Sequence, residues 1–258
     1  MGGVGRFIQA KLRAALAGSP PRPRPAEGRL PPGQRLVDHL PVLDLGTRPR
    51  IPREKWRLRV QGAVSEPVTL DWAGIETLPQ VDVVADIHCV TRWSRLDVPW
   101  RGVRARDVLA LARPTPAASH VLLGASDGYT TNLPLAALLD DDVLLAHSVD
   151  GKPLTTEHGG PLRIVVPRRY FWKSAKWLTR IEVREGDTPG FWEDRGYHND
   201  ADPWREERFR AQPPTASVDN PPSPGGDRRP APGHPPACTT APGDFACHGT
   251  ELGPRLTK

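Results

Sequence analysis

The chain has 258 residues, a formal net charge of +5, 31 prolines, 24 glycines and three cysteines. This length is sufficient for one domain with a substantial buried core. Three cysteines exclude a disulfide framework, and no run of 18 apolar residues predicts a membrane span. The modest positive charge fits a solvated surface or an anionic ligand. Nucleic acid is not expected as a partner, because no helix-turn-helix, zinc-finger or basic–aromatic sheet motif occurs.

Proline is concentrated near the two ends of the chain, at residues 19–32 and 213–254. These stretches contain few large apolar residues, so burial there cannot offset the entropy lost on ordering. We therefore predict a flexible N-terminal segment at residues 1–30, a single folded domain at 31–210 and a Pro-rich disordered tail at 211–258. The N-terminal apolar content is too interrupted for a signal peptide, which predicts a reducing, cytoplasmic location.

The first half of the predicted domain alternates short strands with short helices. Trp56–Val60 alternates apolar and polar residues, as a half-buried strand does. A short helix is predicted at Thr69–Leu78, with Thr69 as its cap and Pro79 as its stop. The apolar run at residues 81–85 predicts a buried strand, and apolar spacing at 106–112 predicts a second helix.

The second half continues in the same way. Strands are predicted at His120–Leu123, Thr130–Leu133, Leu162–Val166 and Ile181–Val183, and a short helix at Leu135–Leu139. Many short strands with a few short helices between them predict an α+β fold with a mixed sheet. The sequence contains neither GxGxxG nor a P-loop, so it does not indicate a bound nucleotide.

Cys89 follows the apolar run directly, in the stretch Asp86-Ile-His-Cys-Val-Thr-Arg-Trp-Ser94. A thiol where a strand becomes a loop can fill space, bind a metal or act as a nucleophile. The nucleophile of a cysteine hydrolase needs a base beside it. The adjacent His88 would point to the opposite face if the strand continues, which weakens that interpretation.

Three predicted loops place polar or cationic residues at a strand end, where scaffolds present functional groups: 88–94, 157–163 and 170–176. Together they offer the Cys89 thiol, two histidines and four cations: Arg92, Arg163, Lys173 and Lys176. A thiolate beside cations suits a metal carried by a large anionic cofactor. The alternative is a surface cluster of independent ion pairs.

At these positions the sequence resembles the sulfite oxidase superfamily of molybdenum enzymes, and most closely its short bacterial branch, the sulfite oxidase-like oxidoreductases. The resemblance extends over about residues 31–209. It is carried by five motifs in the family's order: 86–94, 126–134 (SDGYTTNLP), 157–167 (EHGGPLRIVVP), 173–178 (KSAKWL) and 190–197 (GFWEDRGY). It implies the molybdopterin-binding fold of that family in a single domain.

The resemblance also implies site residues. One molybdenum would be held by a molybdopterin dithiolene and one cysteine thiolate, and Cys89 is the matching position. Tyr197 resembles the family's active-site tyrosine, although its hydroxyl can also serve packing alone. Arg92 is a candidate for facing an oxyanion substrate, with an ion pair to a nearby aspartate as the alternative. Seven residues match cofactor contacts: His39, Ser126, His158, Arg163, Ser174, Ala175 and Lys176.

One position departs from the family pattern. Sulfite oxidases carry an arginine two residues before the histidine that His39 resembles, and this arginine helps to bind sulfite. Val37 occupies that place here. Arg35 and Arg92 are candidate replacements, and sulfite is not favoured as the natural substrate.

The sequence thus predicts a molybdenum–molybdopterin oxidoreductase with one cofactor per chain. Its reaction would be a two-electron, oxo-transfer-type redox step on a small substrate such as an oxyanion or an S- or N-oxide. No heme or flavin motif occurs, so we expect a separate electron-transfer protein as partner. The alternative function is a cofactor- or partner-binding module with the same fold and little catalysis.

Overall fold

The computed structural model describes residues 28–210. The flexible segment and the tail predicted for the two ends lie outside this range, apart from residues 28–30. Within it, the strands are β1 Arg35–Leu36, β2 Leu58–Gly62, β3 Val68–Leu70, β4 Gln80–His88, β5 Trp93–Arg104, β6 His120–Ala125, β7 Thr130–Pro134, β8 Leu144–Val149, β9 Lys152–Pro153, β10 Arg163–Val165 and β11 Leu178–Arg184. The helices are α1 Trp72–Thr77, α2 Ala105–Ala112 and two 3-10 helices, Leu135–Leu139 and Phe171–Lys173. None of these helices has the length and apolarity needed to cross a bilayer.

The strands form two sheets. The first has the path β1-β5-β8-β10, with β4 paired to β5 and β9 paired to β8. The second has the order β3-β2-β11-β6-β7. The pairs β1–β5 and β2–β11 are parallel, whereas β4–β5, β5–β8 and β6–β11 are antiparallel. Mixed sheets with few short helices confirm the predicted α+β class.

The main core contains the inward residues of the second sheet and the apolar face of α2. Leu58 and Val60 of β2 and Ile181 and Val183 of β11 point into this core, as the two-residue period of a strand requires. A smaller cluster surrounds Cys89 and includes Ile87, Trp93 and Trp100. The candidate thiol therefore lies within a packed part of the first sheet.

The start of α1 differs from the prediction. The helix runs from Trp72 to Thr77, and its cap is Asp71, whose carboxylate accepts from the Gly74 N–H at 2.9 Å. Thr69 lies in β3 opposite Arg59 of β2, so its assignment as the cap was wrong. The ladder with β2 satisfies the backbone of residues 68–70, and a helix starting at Thr69 would lose those hydrogen bonds.

The longest strand, β5, was not predicted. Its twelve residues pair with β1, β4 and β8, so it is central to the first sheet. Gly102 allows the close approach to β8, because a Cβ there would lie 2.1 Å from the Leu145 carbonyl oxygen. Only a residue without a side chain fits this contact.

Gly102→Ala should therefore destabilise the domain. The added methyl group would collide with backbone rather than with a movable side chain, so we expect a loss of about 2–4 kcal/mol in the free energy of unfolding. Gly186→Ala is the matched control, because a Cβ there meets nothing within 4 Å. Urea unfolding measures both variants, and equal midpoints would contradict the predicted contact.

Candidate active site

A tight turn holds Cys89 at the end of the β4–β5 hairpin. The Cys89 N–H donates to the Trp93 carbonyl at 2.8 Å, and the Arg92 N–H donates to the Cys89 carbonyl at 3.0 Å. Arg92 has a φ of 68°, in the left-handed region. A residue in this conformation commonly closes a three-residue hairpin loop. The thiol is thus placed by strand backbone, as the sequence position at a strand end predicted.

A cavity of about 300 Å³ opens onto Cys89. This volume lies in the range of small-molecule sites. Seven aromatic side chains contribute to its walls: Trp93, Tyr129, Phe171, Trp172, Trp177, Trp192 and Tyr197. Seven residues predicted from the sequence lie together around it: Cys89, His158, Arg163, Ser174, Ala175, Lys176 and Tyr197.

The Cys89 thiol is buried, with 5% of the residue exposed. Its Sγ accepts a hydrogen bond from the Thr91 hydroxyl at 3.2 Å. Burial raises the pKa of the thiol above its ordinary value, and the bond from Thr91 offsets part of that effect. The charge of Arg208 also lowers this pKa, but burial is the larger effect, and Cys89 is therefore protonated at neutral pH. A bound metal would have to displace this proton.

Arg163 is a buried cation that ties two loops of the cavity wall together. Its guanidinium donates to the His158 carbonyl at 3.0 Å and to the Ser174 carbonyl at 2.7 Å. It also lies over the Phe171 ring at 4.3 Å. Desolvation lowers the pKa of Arg163 to about 9, so the group still carries its charge at neutral pH.

Lys176 adds a second cation to the same wall. Its Nζ donates to the Glu157 carbonyl at 2.6 Å and lies 4.0 Å from a carboxylate oxygen of Asp44. Desolvation, followed by repulsion from Arg163, lowers the pKa of Lys176 to about 8. An anion bound in the cavity would favour the charged form of this lysine.

The segment between these cations is fixed by backbone hydrogen bonds. Ser174 Oγ accepts from the Val166 N–H at 2.9 Å, and the Ala175 carbonyl accepts from the Ile164 N–H at 3.0 Å. The imidazole of His158 lies 3.2 Å from the Leu40 carbonyl through Nε2. These contacts give the cavity wall a defined shape before any ligand binds.

Tyr197 reaches the cavity from the segment after β11. Its ring packs against Trp172 at 5.2 Å, Trp192 at 4.9 Å and Phe209 at 5.0 Å. Burial raises the pKa of Tyr197, and the nearby Cys89 raises it further. The hydroxyl therefore stays protonated at neutral pH, and Tyr197 lines the same cavity as Cys89.

Lys173, one of the four cations of the predicted loops, has a structural contact instead. Its Nζ lies 2.6 Å from a carboxylate oxygen of Glu193, and both side chains are fully buried. Glu193 also accepts from the Trp172 indole at 2.9 Å, and Lys173 donates to the Asn132 side chain at 2.8 Å. The pair fastens the segment that carries Tyr197 to β7. Sequence reasoning missed Glu193, although it lies within a quoted motif.

Three of the predicted site residues are placed elsewhere by the structure. The His39 side chain is 77% exposed and lies 2.6 Å from Asp38. Ser126 lines a separate groove, and its N–H donates to the Trp177 carbonyl at 3.0 Å. Arg92 turns toward Gly33, where its Nη1 would lie 2.7 Å from an added Cβ. The left-handed backbone at Arg92 directs this side chain out of the Cys89 cavity.

Neighbours of these residues do reach the cavity. Pro41 follows His39 by two positions, and Asp127 follows Ser126; both line the cavity. Asp44 and Tyr129 also line it and were not singled out in the sequence. Asp127 could have been found, because it belongs to the quoted SDGYTTNLP motif.

Comparisons with known proteins agree with this geometry. Residues 45–192 match the family described as oxidoreductase molybdopterin binding domain. The uncharacterized oxidoreductase YuiH of Bacillus subtilis is 48% identical over 183 residues, which cover 70% of this chain and 92% of YuiH. The mitochondrial sulfite oxidase of Drosophila melanogaster is 31% identical over 62% of this chain and 31% of its own length. The protein-methionine-sulfoxide reductase catalytic subunit MsrP of Gluconobacter oxydans is 30% identical over 53% of this chain and 49% of its own length.

The solved structure of the sulfane dehydrogenase SoxCD from Paracoccus pantotrophus shares the fold, with a TM-score of 0.50 and 21% identity. The match covers 54% of this chain and 40% of that chain. The chain thus spans nearly all of YuiH but half or less of the longer relatives. Together these matches show that the chain belongs to the molybdopterin-binding oxidoreductase family that includes the sulfite oxidases, as its motifs predicted.

Proposed function

We propose that this protein is a molybdopterin-dependent enzyme that performs two-electron, oxo-transfer-type redox on a small substrate, with Cys89 as the protein ligand of molybdenum. One observation carries the proposal: a buried thiol opens onto a cavity whose wall contains the cations Arg163 and Lys176. A thiolate suits a soft metal site, and the cations suit the phosphate of an anionic cofactor.

The residues present fit this cofactor. Cys89 is the free cysteine of the described part of the chain, and its sulfur lines the cavity. Flat aromatic walls such as Trp177 and Phe171 suit a planar ring system. The surroundings of Lys176 lower its pKa to about 8, and a phosphate nearby would stabilise the charged form of this lysine.

When bound, the cofactor supplies two-electron redox chemistry with transfer of an oxygen atom. The chain's own residues bind, orient and shield it. Cys89 would hold the metal as a thiolate after losing the proton that burial otherwise retains. The Thr91 hydroxyl donates to the sulfur and thereby reduces its negative charge. Arg163 keeps the His158 and Ser174 loops in register around the cofactor.

Tyr197 is proposed as the catalytic hydrogen-bond donor. Its hydroxyl is protonated at neutral pH, and the residue lines the same cavity as Cys89. A positioned donor can stabilise charge that develops on a substrate oxygen. Trp172 and Trp192 fix the ring of Tyr197, so its orientation does not depend on the substrate.

An S-oxide or N-oxide with apolar substituents is the proposed substrate class. Val37 stands where sulfite oxidases have an arginine, and the candidate replacements Arg35 and Arg92 do not line the cavity among the described residues. Aromatic walls bind apolar groups and disfavour a strongly hydrated dianion. A cytoplasmic location remains part of the proposal, since an oxidised Cys89 could not bind the metal.

Metal analysis tests the ligand. Protein made in a molybdopterin-competent host should contain equimolar molybdenum, and Cys89→Ser should lose it because a hydroxyl is a poor replacement for a thiolate. Cys238→Ser is the matched control and should keep the metal. A metal-free native protein from such a host would contradict the proposal and favour the binding-module alternative.

The charge of Lys176 should matter for cofactor retention. Lys176→Met should weaken cofactor binding by roughly tenfold or more, because a charge-assisted bond to phosphate is lost. Lys176→Arg keeps the charge and should retain most of the affinity.

The same lysine predicts a pH dependence of cofactor binding. In the native apo-protein, the affinity for the cofactor should fall as pH rises through about 8, because the ammonium loses its proton there. The Lys176→Arg variant should show no such fall. Fluorescence titration across this pH range measures both.

Tyr197→Phe tests the proposed donor. With artificial electron carriers, kcat/KM for a sulfoxide or N-oxide should fall by roughly a hundredfold, while the molybdenum content stays unchanged. Tyr170→Phe is the control, since this buried ring stacks on Trp172 at 5.4 Å and does not line the described cavity. An unchanged kcat/KM in Tyr197→Phe would assign Tyr197 to packing alone.

The same assay tests the substrate class. A turnover rate with sulfite above the rate with every sulfoxide or N-oxide would contradict the proposed substrate class.

A further inference from the structure

A second, open groove of about 610 Å³ lies against the second sheet. Ser126, Gly128 and Tyr129 form part of one side. Among the described residues that line it, no side chain is a carboxylate. Four of the lining side chains are cationic: Lys55, Arg57, Arg59 and Arg180. We call the groove that they line the basic groove.

The sheet places these cations next to each other. Arg59 of β2 is directly opposite Arg180 of β11. Gly124 of β6 is the partner of Arg180 on its other side, and an added Cβ there would lie 2.8 Å from the Arg180 Nε. Glycine therefore lets the Arg180 side chain lie across the sheet as the floor of the groove. Arg57 is held by bonds from its Nη1 to the carbonyls of Glu54 at 2.8 Å and Trp56 at 2.7 Å.

Most of the positive charge of the groove has no carboxylate partner among the described residues. Within residues 28–210, none of the three cations Lys55, Arg57 and Arg59 forms an ion pair. The nearest carboxylate to Arg180 is that of Glu182 at 3.9 Å, and Glu182 is bound more closely by Arg184 at 2.8 Å. Several like charges on one face repel one another and create a positive surface potential. A partner with carboxylates would relieve this repulsion.

The basic groove and the Cys89 cavity share a wall. Tyr129 lines both spaces, and its hydroxyl donates to the Trp172 carbonyl at 2.6 Å. Trp172 in turn lines the cavity. Tyr129 would thus lie between a protein seated on the groove and the cavity.

We propose that the basic groove is the docking surface for an acidic one-electron carrier protein, which exchanges electrons with the centre in the Cys89 cavity. This rests on the proposed function. Reduction of one S-oxide consumes two electrons and two protons and gives the thioether and water. Two carrier molecules, docking in turn, each give up one electron and leave oxidised, while the protons come from solvent. Carboxylates facing the four cations supply both the orientation and the rate of encounter.

The test compares two double charge reversals in the full chain. Lys55→Glu/Arg59→Glu alters the basic groove. Lys152→Glu/Arg101→Glu makes the same change in net charge on the first sheet, where both residues are exposed. The probes are a plant-type [2Fe–2S] ferredoxin and a flavodoxin as acidic carriers, with basic cytochrome c as the opposite charge. Association is measured by surface plasmon resonance at low and high salt. Turnover is measured separately with small redox dyes as electron donors.

The acidic carriers should bind the native and control proteins with similar affinity, and the groove variant roughly tenfold more weakly at low salt. High salt should reduce this difference, because exposed charges are screened. Equal binding of both variants, preference for cytochrome c, or binding of free polyphosphate but neither carrier would overturn the docking proposal. Dye-driven turnover should be the same in all three proteins. If none of the three proteins shows dye-driven turnover, the proposed function is contradicted. The binding comparison tests the docking proposal independently of turnover.

Discussion

The buried ion pair between Lys173 and Glu193 is the contact on which the arrangement of the site depends. Taking two charges out of water costs several kcal/mol per ion, and further hydrogen bonds offset part of that cost. Here Asn132 accepts from the Lys173 ammonium, and Trp172 and Thr131 donate to Glu193 Oε1. The pair thereby joins β7, the second 3-10 helix and the segment after β11. Two cavity side chains, Trp172 and Tyr197, take their positions from this junction.

A second constraint comes from charge inside the cavity wall. Arg163 and Lys176 are both desolvated and close enough to lower the pKa of the lysine, which makes the wall a site prepared for an anion. Burial also disfavours the charged form of Cys89, so it raises the pKa of the thiol and keeps it neutral. The cavity therefore suits a ligand that brings negative charge to the cations. A molybdenum–molybdopterin cofactor carries such charge on its phosphate, and the proposed bond from Cys89 to its metal would displace the thiol proton.

The basic groove adds a third electrostatic feature on the other side of Tyr129. The cavity uses buried cations whose hydrogen bonds are directed to backbone carbonyls. In the groove, Lys55, Arg57 and Arg59 are exposed and have no ion-pair partner within residues 28–210, and Arg180 has only the more distant Glu182. Buried charges of the first kind select a small anion through geometry. Exposed charges of the second kind act over longer distances and suit transient encounters. The two sets therefore fit different partners.

Sequence alone determined the α+β class and the family. It also placed seven of the cavity residues, including Cys89 and Tyr197, because these lie in motifs at strand ends and each motif carries its own local pattern. It did not reveal β5, which is held by pairing with three neighbouring strands and whose exposed–buried alternation is confined to residues 97–102. Nor did it separate Lys173 from Lys176, which are three residues apart and have opposite surroundings. Only the tertiary structure decided which cation meets a buried carboxylate and which faces the cavity, since that depends on Glu193, a partner twenty residues away from Lys173. It likewise turned Arg92 out of the cavity and brought Asp127 in, because side-chain direction follows the backbone of the folded turn.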